Sequence, residues 1–235
     1  MTTISETPHQ PLRSAALVGG ITLLAIAVLA GLAKFGVVDN LVTEGDAEKT
    51  AQDIRDSAGL FRYGVAGLLL AAVLDAVTAW ALMAFFKPVH EGVATLAGWL
   101  RAVYTGVFIV AIAQLAGALP HADETGSPAE TLQKINAFQD IWHAGLSLFG
   151  LHLLLLGYLA YKAEYAPKFV GALLAIAGLG YLVDSLGLVL VQGYSFEVAT
   201  LTFVGEPVLM IWLLVKGRSS IVRPAPAAAG WLQQG

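Results

Sequence analysis

The sequence predicts an all-α, polytopic membrane protein with six transmembrane helices in one bundle and with both termini in the cytoplasm. Of the 235 residues, 57% are hydrophobic and only 13% are charged, whereas soluble proteins carry about 25% charged residues. Six segments are apolar over the roughly 20 residues that a helix needs to cross the hydrocarbon core. The Lys and Arg residues favour alternate connections, which sets the orientation.

The six predicted helices follow one another along most of the chain. The first follows Arg13, and its apolar run is too long for a signal peptide, so we expect it to be retained. The predicted spans are Ala15–Val38, Phe61–Phe86, Thr95–Leu119, Ile141–Tyr161, Phe169–Gln192 and Ala199–Val215. They divide the chain into a cytoplasmic segment at 1–13, a transmembrane domain at 14–217 and a disordered cytoplasmic tail at 218–235.

Two connections on the predicted outer side carry structure of their own. In GDAEKTAQDIRDSAGLF, residues 45–61, apolar residues recur at spacings of three and four, which is typical of a short amphipathic helix. In SPAETLQKI, Ser127 is the expected N-cap, Pro128 the first helical residue and Glu130 the other half of a capping box. The fourth transmembrane helix is therefore expected to begin near Pro128, outside the membrane.

The orientation follows from the distribution of basic residues. With the N-terminus inside, eight Lys and Arg residues fall on the inner side and five on the outer side. The inner group is Arg13, Lys87, Arg101, Lys162, Lys168, Lys216, Arg218 and Arg223, and the outer group is Lys34, Lys49, Arg55, Arg62 and Lys134. An inner excess of positive charge predicts a multi-pass protein of a bacterial cytoplasmic membrane, with the lipid bilayer as its first partner.

Composition also excludes several classes of protein. The net charge of −4 argues against nucleic-acid binding, which needs a basic surface. The chain has no cysteine, so thiolate metal ligands and cysteine nucleophiles are excluded. It also lacks the phosphate-binding, serine-hydrolase and zinc-protease motifs. We therefore predict no cofactor.

One resemblance covers nearly the whole chain, from Leu12 to Gly217. The segments LHLLLLGYLAYKAEYAPKFVGALLAIAGLGYLVDS and GEPVLMIWLLVKG, preceded by NLVTEGDAEKTAQDIRDSAGLFRYGV and KPVHEGVATLAGWLRAVYTGV, resemble the bacterial membrane family catalogued as domain of unknown function 4386. The resemblance implies a six-helix membrane protein and no particular activity. Ala163 and Glu164 stand where the family pattern has a Ser-Gly-like pair before Pro167, a difference confined to a loop.

Four ionisable residues lie deep within the predicted spans. At 1.5 Å per residue from the outer boundaries, Asp184 lies about 13 Å deep, Glu206 about 12 Å, His152 about 16 Å and Asp75 about 21 Å. Ionisable groups in a span are costly and usually face the bundle interior or a wet cavity. We therefore expect these four side chains to face one shared interior pocket.

The surroundings of Asp184 and Glu206 support an inward direction for their side chains. Small residues at 177, 180 and 187 share the stripe of Asp184, and such stripes mark close helix contacts. Pro207 cannot donate a hydrogen bond to the Phe203 carbonyl, so we expect a kink beside Glu206 and a free acceptor at membrane depth.

Two further polar residues, Arg101 and Gln114, complete the candidate set. Arg101 is expected near the inner boundary, where it either snorkels to the headgroups, the favoured interpretation, or pairs with Asp75. Gln114 lies closer to the outer end of the same helix. His143 and His152 are nine residues apart and half a turn out of phase, so they cannot share one site on one helix face.

The sequence leaves three functions open. The favoured one is binding or translocation of a small ligand, ion or proton through Asp75, His152, Asp184 and Glu206, with Arg101 and Gln114 as further candidates. The second is a metal-dependent lipid hydrolase with zinc held by His152, Asp184 and Glu206. The third is a non-catalytic accessory, sensor or assembly protein that binds a membrane-protein partner. The oligomeric state stays open, and the pattern favours a protein that is not an enzyme.

Overall fold

The computed structural model describes residues 10–218, and this part of the chain is helical without strands. The helices are α1 (Gln10–Ala33), α2 (Ala47–Asp56), α3 (Ala58–Phe86), α4 (Glu91–Ala122), α5 (Pro128–Lys162), α6 (Lys168–Leu190), α7 (Val198–Thr202) and α8 (Gly205–Arg218). A π-helical turn, Lys34–Val38, and a 3-10 turn, Asp39–Leu41, extend α1.

Within the described residues, six helical segments are long and apolar enough to cross a membrane. They are Leu12–Leu41, Ala58–Phe86, Glu91–Ala122, Pro128–Lys162, Lys168–Leu190 and Val198–Arg218. The predicted fold class of an all-α polytopic bundle is confirmed. The predicted tail at 218–235 lies outside the described residues except for Arg218, and so does most of the predicted N-terminal segment.

The six spans form a closed ring of antiparallel neighbours. Each long helix packs on the next one along the chain, and α8 closes the ring by packing against both α6 and α1. The Arg13 Nε donates a hydrogen bond of 2.9 Å to the Gly217 carbonyl, which joins the start of α1 to the end of α8. We call this end of the bundle the terminal end and the opposite one the far end.

Both predicted structures in the long connections are present at the far end. Helix α2 buries Ile54 completely, and the Arg55 Nε donates to the Ala122 carbonyl at the end of α4 at 2.9 Å. The Ser127 hydroxyl caps α5 by accepting from the Glu130 amide at 3.4 Å. The Glu130 carboxylate binds His121 Nδ1 at 2.7 Å. The Ser127 cap therefore forms as predicted, but the Glu130 side chain binds His121 of α4 instead of completing the predicted capping box.

A close backbone contact joins α5 to α6 through glycines. A Cβ atom added to Gly150 would lie 2.8 Å from the Gly178 carbonyl oxygen, and one added to Gly157 would lie 2.8 Å from the Gly171 carbonyl oxygen. The two glycines of each helix are seven residues apart, so they lie on one face two turns apart. Small residues allow this approach in membrane helices, where packing must replace the hydrophobic effect.

The sixth span is broken into two helices instead of being kinked. Helix α7 ends at Thr202, residues 203 and 204 form a turn, and α8 begins at Gly205. The Phe203 carbonyl accepts a hydrogen bond of 2.9 Å from the Glu206 amide. The expectation of a free acceptor was therefore wrong, because the turn supplies a donor that a continuous helix with Pro207 could not.

Candidate functional site

A buried ion pair between α3 and α4 forms the centre of the interior. Arg101 is 3% exposed and Asp75 is 5% exposed. The Arg101 Nη2 and Nε lie 2.5 Å and 3.0 Å from the Asp75 Oδ1, and the Thr105 hydroxyl donates to Oδ2 at 2.6 Å. The favoured expectation that Arg101 snorkels was wrong, because its guanidinium neutralises a carboxylate that is buried on the neighbouring helix.

His152 of α5 joins this pair from the other side. Its Nδ1 lies 2.8 Å from the Ala97 carbonyl oxygen and its Nε2 lies 3.2 Å from the Arg101 Nη1. A carbonyl can only accept and a guanidinium can only donate, so both contacts assign one neutral tautomer with the proton on Nδ1. The structure thus brings Asp75, Arg101 and His152 together, as a closed network across three helices.

Glu206 approaches the same network from α8 through two aromatic rings. The Tyr181 hydroxyl of α6 donates to the Glu206 Oε1 at 2.8 Å. The Tyr181 ring meets the Phe149 ring edge to face at 5.4 Å between centroids, and the Arg101 guanidinium lies 5.2 Å from the centre of the Phe149 ring. Glu206 is therefore a neighbour of the network and makes no hydrogen bond to it.

Asp184 belongs to a different structure at the far end. Its Oδ1 accepts from the Val198 amide at 2.9 Å and from the Tyr194 hydroxyl at 2.7 Å, and its Oδ2 accepts from the Ala199 amide at 2.7 Å. The bond to Asp184 raises the pKa of the Tyr194 hydroxyl, which favours the protonated donor. The expectation that Asp184 shares the central pocket is not met, because its carboxylate caps the N-terminus of α7 from α6.

Replacing Asp184 with asparagine is expected to loosen α7. The amide side chain keeps one acceptor oxygen but loses the charge that the two helix amides bind, at a cost of about 1–2 kcal/mol. Hydrogen-exchange mass spectrometry should show faster exchange of the peptide covering residues 194–204. Asp140→Asn, at an exposed position of the far end, is the control. Equal exchange in both variants would contradict the capping role.

The remaining candidate, Gln114, and the second histidine of α5, His143, lie away from the centre. The Gln114 Oε1 accepts from the Lys134 Nζ at 3.2 Å near the far end. The His143 carbonyl accepts from the Ser185 hydroxyl at 3.1 Å. In the described part of the chain, no three His, Asp or Glu residues are grouped so as to hold a metal ion. His152, Asp184 and Glu206 contact different partners, so the geometry does not support the zinc site of the hydrolase hypothesis.

Aromatic rings pack at both ends of the interior. At the terminal end, the Phe85 ring contacts the rings of Tyr165 and Trp212 at 5.3 Å and 5.6 Å. Toward the far end, the Trp142 ring contacts the Phe138 ring at 5.7 Å. Tyr165, Trp212 and Trp142 are all half-buried, so aromatic packing closes the ring of helices at both ends to a similar degree.

Sequence reasoning missed the hydroxyl groups that complete the site. Thr105 lies one helical turn after Arg101, on the same face, and Tyr181 lies one turn before Asp184 on α6. Both spacings can be read from the sequence, but a hydroxyl group is uncharged, so its presence in an apolar helix does not indicate a functional site. Tyr194 could not be found from spacing, since the loop that returns it to Asp184 has no periodic pattern.

Comparison with known proteins agrees with this architecture. An uncharacterized protein of Archaeoglobus fulgidus is 35% identical over 156 residues, which cover 66% of this chain and 85% of that protein. A search of solved structures gave no significant match. Residues 18–217 match the family model described as Domain of unknown function (DUF4386), as the resemblance implied. The chain, a multi-pass membrane protein by its six apolar helices, therefore belongs to the DUF4386 family.

Proposed function

We propose that the protein binds a proton, or a small cationic ligand in its place, at Glu206 inside the membrane and passes it across the bundle. The three carboxylates of the interior differ in their partners. Asp75 is neutralised by Arg101, and Asp184 is bound by two helix amides. Within the described residues, Glu206 has a single hydrogen-bond donor, the Tyr181 hydroxyl, and no cation in an ion pair.

This difference carries the proposal, because an ionised carboxylate at membrane depth needs compensation. Removing such a charge from water costs several kcal/mol unless a cation pairs with it. Arg101 is already paired with Asp75, so its positive charge is compensated there and does not form an ion pair with Glu206. A proton or a bound cation is the remaining compensation, and exchange of that species is what a relay requires.

The backbone around Glu206 also suits a site that changes occupancy. Glu206 lies on the face of α8 that buries Leu209 and Leu213, yet it is only half-buried. It also follows directly on the turn between α7 and α8. Broken helices in membrane proteins place polar groups beside cavities, and the break allows two short helices to move separately.

Glu206→Gln is expected to abolish proton flux. The test uses purified protein in liposomes with a pH-sensitive dye inside and an imposed pH gradient. The glutamine keeps an oxygen for the Tyr181 hydroxyl but cannot release a proton at neutral pH. Glu48→Gln, on the exposed side of α2, should retain the wild-type rate. Flux that is equal in wild type and Glu206→Gln would overturn the proposal.

A second candidate function, a non-catalytic accessory or assembly protein, is favoured by a different observation. Every buried side-chain nitrogen and oxygen atom in the described residues already has a hydrogen-bond partner. A saturated interior suits a scaffold, since a binding site usually presents polar groups to its ligand. Wild-type liposomes with no flux above empty liposomes would favour this candidate.

The proposal places the protein in a bacterial cytoplasmic membrane with the terminal end in the cytoplasm. Because Arg101 is interior, it no longer counts among the inner basic residues, which leaves seven against five outside. The bias keeps its direction. A cysteine introduced at Glu48, in a chain that has none, should react with a membrane-impermeant maleimide in intact cells. Labelling only after cell lysis would reverse the assigned orientation.

A further inference from the structure

We propose that a groove at the terminal end binds the headgroup of a phosphatidylethanolamine molecule. The groove has a volume of about 500 Å³ and runs between the α3–α4 turn and the end of α5, a size within the range of ligand pockets. Its lining residues are Pro88, Val89, His90, Tyr158, Lys162, Ala163, Glu164 and Tyr165. This inference is independent of the function proposed for Glu206.

The position of the groove selects a lipid as its occupant. Tyr158 and Lys162 are four residues apart on α5 and both are exposed, while Leu156 and Leu159 are buried in the bundle. The exposed side of a membrane-spanning helix is the side that meets lipid. Because Lys162 is the last residue of α5, the groove lies where the helix leaves the hydrocarbon core, at the level of the headgroups.

Three hydrogen-bond donors line the groove and suit a phosphate. The Lys162 ammonium forms no ion pair with another described residue, and Tyr158 is 45% exposed. His90 Nδ1 accepts from the Val93 amide at 3.2 Å, which assigns the proton of a neutral ring to Nε2 as a further donor. Lysine binds phosphate as a point charge, and hydroxyl and imidazole donors add direction.

Glu164 determines which phospholipid fits best. It lies two residues beyond Lys162 and also lines the groove, so the site presents one positive and one negative group. A phosphoethanolamine headgroup carries the complementary pair, a phosphate and a primary ammonium with three N–H donors. A choline headgroup has no N–H donor, and a glycerol headgroup has no positive charge. Charge and hydrogen bonding therefore favour ethanolamine.

Two nearby polar groups already have partners within the protein and are not available to bind a lipid. The Tyr165 hydroxyl donates to the Phe85 carbonyl at 2.9 Å, and burial raises its pKa, which keeps it protonated. The Lys87 Nζ pairs with the Glu91 Oε1 at 2.9 Å. The specificity is thus assigned to Lys162 and Glu164.

Native mass spectrometry of the full chain tests this assignment. The protein is incubated in detergent with equal amounts of phosphatidylethanolamine, phosphatidylcholine and phosphatidylglycerol of the same acyl chains. Wild type should retain ethanolamine lipid about tenfold over each of the others, the ratio that one charged hydrogen bond supplies. Lys162→Gln should reduce retention of all three. Glu164→Gln should lower the ethanolamine-to-choline ratio to about one while retention of phosphatidylglycerol does not fall.

The control is Lys168→Gln at the start of α6, where the ammonium lies over the Tyr161 ring at 5.4 Å. It removes the same charge from the same end of the bundle and should leave the wild-type preference intact. A wild-type preference for phosphatidylglycerol would overturn the proposal in favour of simple charge attraction. Equal loss in Lys162→Gln and Lys168→Gln would place the binding outside the groove.

Discussion

Arg101→Met is expected to lower the free energy of unfolding by about 3–5 kcal/mol, the cost of removing one partner of a buried ion pair. The substitution leaves the Asp75 carboxylate without its cation and leaves His152 Nε2 without its donor. Both groups are buried, so bulk solvent does not replace the lost partner. Equilibrium unfolding in mixed micelles, followed by circular dichroism, measures the loss.

The double variant Asp75→Leu/Arg101→Met separates the ion pair from simple packing. Removing both charges leaves no uncompensated charge and only His152 Nε2 without its donor, so the double variant should recover most of the stability that the single variant loses. The surface pair of Lys49 and Asp53 provides a control, since breaking it with Lys49→Gln should leave the free energy of unfolding nearly unchanged. A double variant as unstable as Arg101→Met would contradict the electrostatic explanation.

Gly157→Leu is expected to lower the free energy of unfolding by about 2–3 kcal/mol through overpacking. The new Cβ would lie 2.8 Å from the Gly171 carbonyl oxygen and 2.9 Å from the Ala175 nitrogen. Both are backbone atoms, so no side chain can rotate away and α5 must separate from α6. Thermal unfolding in detergent micelles measures the effect.

Gly106→Leu is the matched control for this prediction. Gly106 lies in α4, and a Cβ there would meet nothing within 4 Å. The same substitution should therefore keep or slightly raise stability, by up to about 1 kcal/mol, since leucine favours a helix more than glycine does. If both leucine variants unfolded alike, the close α5–α6 contact would not be the cause.

The architecture follows from local properties of the sequence. The six spans depend on stretches of about 20 apolar residues. The hydrophobicity of a residue does not depend on the fold, so these stretches can be recognised from the sequence. Helix α2 and the start of α5 at Pro128 depend on spacing and capping within a few residues. The contact of the glycines at 150, 157, 171 and 178 was not predicted, because it depends on which faces of α5 and α6 meet.

The sequence predicted only in part which residues form the interior site. The depth of a residue in the membrane follows from its number of residues from the helix boundary, so Asp75, His152, Asp184 and Glu206 were all predicted at membrane level. The depth does not show which side chain on another helix each residue contacts. Arg101 had two acceptable positions, and only the packing of α3 against α4 decided between the headgroups and Asp75.

By itself, then, the sequence determined the six apolar spans, their order and the polar residues they contain, because hydrophobicity and helical period act over a few turns. Only the tertiary structure decided that Arg101 pairs with Asp75, that Asp184 caps α7 and that Glu206 is left with Tyr181. These outcomes depend on which helix faces are in contact and on where the 191–197 loop returns. A charged group in the membrane takes the nearest suitable partner, and distance between helices is a property of the packed bundle alone.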